Sequence, residues 1–122
     1  MDWIFRNDQP IYSQLIQRLT EAIVSGVYAP GEKLPSVREL ALEAGVNPNT
    51  VQRSLTELER EGLVFSQRTA GRFVTENENM IVNAKLRIAD ERVSEFLRSM
   101  KTLGCGRQEI ISLIEGAKED EE

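Results

Sequence analysis

The feature that most constrains this chain is the stretch at residues 34–73, LPSVRELALEAGVNPNTVQRSLTELEREGLVFSQRTAGRF, where helix-start and helix-stop signals follow one another with almost no spare residues. Ser36 and Glu39 have the spacing of a capping box, in which the serine oxygen accepts from the amide three residues on and the glutamate reaches back to the serine amide. Val37, Leu40 and Ala41 then give a first helix one apolar face. Gly45 can adopt the left-handed conformation that ends it, and Asn47 followed by Pro48 is a second N-cap with proline where no amide donor is missed. The second helix therefore begins within about three residues of the end of the first, a helix-turn-helix connection. Val51, Leu55 and Leu58 place its apolar face inward, while Asn49, Thr50, Gln52 and Arg53 leave its N-terminal end polar.

Gly62 stops this helix. Residues 63–66 and 72–75 are short runs rich in aromatic and β-branched residues, separated by Gln67, Arg68, Thr69, Ala70 and Gly71, which predicts a β-hairpin with a loop of about five residues. Arg68 and Arg72 flank its tip, and Gly71 allows close backbone approach to a phosphate or a groove wall. Each cap or glycine alone is ordinary helix punctuation; two capped helices and then a hairpin, in that order, describe a winged helix-turn-helix.

Upstream, residues 10–25 read as a helix capped by Asp8 or Gln9, with Pro10 at its first position and Ile11, Leu15, Leu19, Ala22 and Ile23 on one face. It is expected to pack across the two later helices. Ala29, Pro30 and Gly31 mark a turn, and Trp3, Ile4 and Phe5 form an apolar cluster, most simply a lid over the core.

Downstream, Val82, Leu86, Ala89, Val93, Phe96, Met100 and Leu103 alternate spacings of four and three, the seam a long helix offers to a second helix. Gly104 to Gly106 break that helix. Ile110, Ile111, Leu113, Ile114 and Ala117 open a further amphipathic helix of about ten residues, too short to stand alone in water, so it folds on the longer helix of its own chain or of a partner. A monomer with both helices folded back on the winged helix is the alternative to a dimer. The closing KEDEE reads as a solvated tail. The expected architecture is thus mainly α with a small β-hairpin, a winged helix-turn-helix over residues 1–77 followed by a two-helix dimerisation region over residues 78–122.

Composition narrows the function. A chain of 122 residues with 40% hydrophobic content fits one ordinary domain and an extension, without room for an enzyme domain. No apolar run approaches the roughly 18 residues of a membrane span, and MDWIFRND lacks the basic start and apolar core of a signal peptide, so a cytoplasmic location without membrane association is expected. With one cysteine and no histidine, neither an intrachain disulfide nor a Cys/His metal cluster can be assembled in one chain, and no metal or cofactor is implied. Cys105, between two glycines, is simplest as a small buried or hinge residue, with redox sensing as the alternative. The net charge of −5 is unusual for a nucleic-acid binder, but residues 1–75 carry eight Lys/Arg against nine Asp/Glu whereas residues 76–122 carry seven against eleven. Lys33, Arg38, Arg53, Arg68 and Arg72 all lie in the helix-turn-helix and wing, and the acidity elsewhere keeps non-specific DNA binding weak.

The run PIYSQLIQRLTEAIVSGVYAPGEKLPSVRELALEAGVNPNTVQRSLTELEREGLV resembles the DNA-binding domain of the GntR family of bacterial transcription regulators. The short helical tail is similar to the YtrA subgroup, in which a small helical dimerisation region replaces a large effector-binding domain. The resemblance implies DNA contacts at Arg38, at Asn47, Pro48, Asn49, Thr50 and Gln52, and at Ala70 and Gly71 of the wing. Some relatives carry arginine where this chain has Pro48 and Gln52; the departure removes guanine readers, so an operator sequence does not carry over. From their chemistry, Asn49 and Gln52 can contact adenine in bidentate fashion, Arg53 can reach a guanine or a phosphate, and Arg38, beside a helix N-terminus, can hold a phosphate, with an ion pair to Glu39 or Glu43 as its structural alternative. Arg68 and Arg72 rank below these.

The expected function is that of a homodimeric regulator, a repressor more than an activator, which binds double-stranded DNA at an inverted repeat. Control of a nearby transport operon is the subgroup's suggestion. A protein-interaction module, or a sensor with a small-molecule pocket at the dimer interface or beneath the N-terminal segment, is the competing class; an enzyme is least expected, with no histidine, no cysteine paired with a base, no glycine-rich phosphate loop and no sign of a carboxylate dyad.

Overall fold

The computed structural model describes residues 1–118, so of the acidic tail all but Lys118 lies outside the described residues. The element order is α1 (Ile11–Val24), α2 (Val37–Ala44), α3 (Pro48–Arg60), β1 (Val64–Gln67), β2 (Gly71–Val74), α4 (Glu78–Thr102) and α5 (Arg107–Gly116).

Local chemistry accounts for most helix boundaries. Both halves of the Ser36/Glu39 capping box form, at 3.1 Å and 3.0 Å, and Gly45 closes α2 at φ 68°. The Asn47 side-chain oxygen accepts from the Asn49 amide at 2.8 Å, with Pro48 opening α3. The chain leaves α3 through Gly62 at φ 83°, a conformation that costs little only without a Cβ. The start of α1 differs from the sequence expectation. The helix begins at Ile11, Pro10 is the cap residue itself, and no side chain caps it. Asp8 is instead held by Arg6 at 2.6 Å. The buried Gln14 side chain accepts from the Arg6 amide at 2.7 Å and donates to the Arg6 carbonyl at 2.8 Å, so it clasps the incoming chain where a cap would have stood.

A compact unit spans Met1–Lys85. Its core joins Leu15, Leu19 and Ile23 of α1, Leu40 of α2, and Val51, Leu55 and Leu58 of α3 with Leu34, Leu63, Val64 and Val74 of the loop and hairpin. Ile81 and Ala84, in the first two turns of α4, are buried in the same cluster. Trp3 and Phe5 pack on this core with their rings 6.1 Å apart, whereas Ile4, expected beside them, is 77% exposed. Along an extended N-terminal strip, neighbouring side chains point to opposite sides, so the lid is two residues.

The hairpin is antiparallel, with Val64 opposite Val74 and Gln67 opposite Gly71. Its loop is therefore Arg68, Thr69 and Ala70, two residues shorter than expected, with an Ala70 amide to Gln67 carbonyl bond of 3.1 Å and Thr69 at φ 67°. β1 sits one residue later than expected, the Leu63 amide being taken by the Leu58 carbonyl at the end of α3 (3.0 Å), and β2 one residue earlier. The PGEK segment also pairs along β2: Val74 donates to the Glu32 carbonyl at 2.9 Å and Leu34 to the Arg72 carbonyl at 2.8 Å. The wing thus has a third edge that the sequence did not announce.

The second unit starts at Leu86 and holds the remainder of α4 together with α5. Gly104, at φ 81°, breaks the helix as expected, and α5 runs ten residues. Ile110 is buried and Cys105 half-buried.

Candidate nucleic-acid interface

The first turns of α3 present Asn47, Pro48, Asn49, Gln52 and Arg53 to solvent, with Thr50 half-buried. Asn47 spends its side-chain oxygen on the cap, which makes it a structural residue as well as a surface one. The side-chain amides of Asn49 and Gln52 make no hydrogen bond among the described residues, so their donors and acceptors remain open to an external partner. Helix geometry places these two residues three apart, on one face.

Arg38 is exposed and makes no ion pair among the described residues. Its nearest candidate in sequence, Glu39, is committed to the capping box, and the hydrogen bonds from the Ser36 backbone and hydroxyl hold that carboxyl below its ordinary pKa. Arg53 makes no ion pair among the described residues, and its guanidinium lies over the Tyr12 ring of α1, 4.4 Å from the centroid.

Wing residues divide into two kinds. Arg68 is exposed at the tip, beside Ala70 and Gly71. Gly71 stands where a Cβ would meet the Lys33 side chain at 3.0 Å, so this glycine permits close contact between wing and preceding loop. Arg72 is held instead by α3: its Nε donates to Glu59 Oε1 at 2.7 Å, and the same oxygen accepts from the Ser66 hydroxyl at 2.6 Å. Partial burial pushes the Glu59 carboxyl up, but the bonds from Ser66 and Arg72 outweigh it and the net shift is downward, toward the charged form. Arg72 therefore fastens the hairpin to α3 through its Nε.

Between the N-terminus of α2 and the wing tip lies an open groove of ≈ 340 Å³, lined on one side by Lys33, Ser36 and Val37 and on the other by Thr69, Ala70, Gly71 and Arg72. The structure thus joins the expected wing residues to the α2 terminus. Sequence reasoning missed the contacts that Tyr12 makes with Arg53 and Glu59 with Arg72; Glu59 and Arg72 are 13 residues apart, beyond any local pattern. Among the described residues no group of three or more potential His, Cys, Asp or Glu ligands comes together, and no helix is long and apolar enough to cross a membrane.

A capped two-helix turn with open amides on its second helix, followed by a tethered basic hairpin, defines a winged helix-turn-helix DNA-binding protein. Comparison with known proteins agrees: residues 11–74 match the pattern of the bacterial regulatory proteins, gntR family. The chain is 38% identical over 118 residues to the uncharacterized HTH-type transcriptional regulator YhcF of Bacillus subtilis, covering 97% of this chain and 95% of that protein. It is 41% identical over 93 residues to the HTH-type transcriptional repressor YtrA of the same organism, covering 75% and 72%. A GntR family transcriptional regulator from Listeria monocytogenes superposes with a TM-score of 0.87 at 35% identity, over 93% of this chain and 100% of that one. The protein belongs to the GntR family, whose members are DNA-binding transcription regulators and not enzymes.

Proposed function

We propose that the protein is a cytoplasmic homodimeric repressor that places α3 of each protomer in the major groove of an inverted-repeat operator. The observation that carries this reading is the first two turns of α3, where Asn49 and Gln52 expose amides with no partner among the described residues, the chemistry that reads adenine. Arg38 and Arg68 supply phosphate contacts, and Thr50, Pro48, Ala70 and Gly71 supply close backbone approach. Arg72 and Asn47 act mainly by holding the wing and the helix start in place.

Dimerisation is supported by the apolar seam on α4. Val82, Leu86, Val93, Phe96 and Leu103 are exposed, with Phe96 41% and Leu103 74% accessible, and Ala89 is exposed on the same seam. Ile114 is exposed on α5; Met100 is half-buried and Ile110 is buried within its own chain, which favours a supporting role for these last two over direct contact. A two-fold dimer sets equivalent recognition helices roughly 34 Å apart, or a multiple of that. Similarity to the repressor YtrA supports repression as the sense of regulation, and a transport operon as the target is the subgroup's analogy.

Footprinting on the protein's own upstream region at two salt concentrations, against random DNA, tests the reading. The expected result is a protected inverted repeat whose affinity falls with salt; equal affinity for random DNA refutes it. Arg38→Ala is expected to weaken binding to every sequence and lower the salt slope by about one, while Asn49→Ala changes sequence preference.

A further inference from the structure

Arg53 occupies the second turn of α3, at the edge of the proposed DNA-binding surface, and its guanidinium is held by an aromatic ring. On the side of α3 toward α1, Arg53, Glu57 and Arg60 follow one another at spacings of four and three. Glu57 is bound to Arg60, whose Nε donates to it at 3.0 Å, and Arg53 makes no ion pair among the described residues. The guanidinium rests instead over Tyr12, which is half-buried near the start of α1, at 4.4 Å from the ring centroid. A ring face attracts the cation without consuming its N–H donors, and none of those donors is bonded among the described residues. An arginine fixed in this way meets DNA with its long side chain already ordered, which removes part of the entropy loss that contact would impose.

We propose that Tyr12 is a positioning residue for DNA recognition, holding the Arg53 guanidinium in the place from which it contacts the operator. The proposal rests on the operator-binding reading above and extends the recognition surface to α1, outside the helix-turn-helix.

The test uses the full chain, a duplex selected from a random library by the wild-type protein, and the variants Tyr12→Phe, Tyr12→Leu, Tyr12→Gln and Arg53→Ala, with thermal unfolding run on each. Tyr12→Phe keeps the ring and is expected to bind as the wild type does. Tyr12→Leu and Tyr12→Gln both lack the ring but differ in polarity, and each is expected to weaken binding about two- to five-fold, the range for an exposed cation–π contact. In the Arg53→Ala background neither is expected to weaken it further. A purely structural role for Tyr12 would lower affinity equally in both backgrounds, which overturns the proposal. So does wild-type affinity in both ring-less variants, or in Arg53→Ala. A wild-type protein that selects no sequence from the library overturns the operator reading as well, and so the two failures are told apart.

Discussion

Cutting the tether between wing and recognition helix gives the sharpest test of how the DNA-binding unit is held together. Glu59 and Arg72 meet at 2.7 Å with side chains 30% and 21% exposed. Fully exposed pairs couple by about 0.2–1 kcal/mol, and hydrogen bonds to charged groups contribute about 1.5–3 kcal/mol when shielded. Contact through one nitrogen and the remaining exposure discount the upper range, so a coupling energy of about 1 kcal/mol is expected. The assay is a double-mutant cycle of Glu59→Ala and Arg72→Met by urea unfolding at fixed protein concentration, with Ser66→Ala included because Glu59 also accepts the Ser66 hydroxyl. The sign of the pH dependence follows from Glu59 being shifted below the ordinary glutamate value of 4.5. A carboxyl depressed in the folded state stabilises above its unfolded pKa, and that contribution disappears as pH falls through the folded value. Coupling should therefore be full at neutral pH and fade below about pH 4.5. A coupling no larger than about 0.3 kcal/mol, the scatter of independent sites, or one that grows on acidification, refutes the tether.

Three further perturbations have defined outcomes. Ser36→Ala removes the cap of α2 and is expected to cost about 1 kcal/mol by chemical denaturation; it should also raise the Glu39 pKa part of the way toward its ordinary value in an NMR titration, since the hydroxyl contribution is lost while the larger one, from the Ser36 backbone amide, remains. Gly62→Ala forces a side chain into φ 83° and sets its Cβ 2.5 Å from the Met80 methyl. The backbone part of that change is about 1–2 kcal/mol. Because the Met80 end is flexible, adding Met80→Ala should recover only a minor share in thermal unfolding; full recovery would place the cost in the contact instead. Leu55→Ala empties a side chain that is 0% exposed at the centre of the core, and a loss of about 2–5 kcal/mol in urea unfolding is expected.

Much of this protein is local and so was legible in the chain itself. A capping box acts across three residues, a proline after a capping asparagine across one, and a helix-ending glycine at a single φ; their order specified α2, the turn and α3 before any tertiary contact was known. Apolar spacing likewise announced the buried faces of α1, Ile11 excepted, and of α3, because period 3.6 is written in the sequence.

Tertiary structure decided the contacts between residues far apart in the chain. The capless start of α1 follows from Gln14 clasping Arg6, and the third edge of the wing from Glu32 and Leu34 pairing with β2. Arginine chemistry assigned Arg53, Arg68 and Arg72 to DNA, as chemistry and family resemblance together assigned Arg38. Folding brings Tyr12 under the first and Glu59 beside the second, whereas Arg38 and Arg68 stay exposed. Sequence determines which residues carry charge and which helices they ride on; which charges are held within the chain depends on what packing sets against each one, and no local pattern records that.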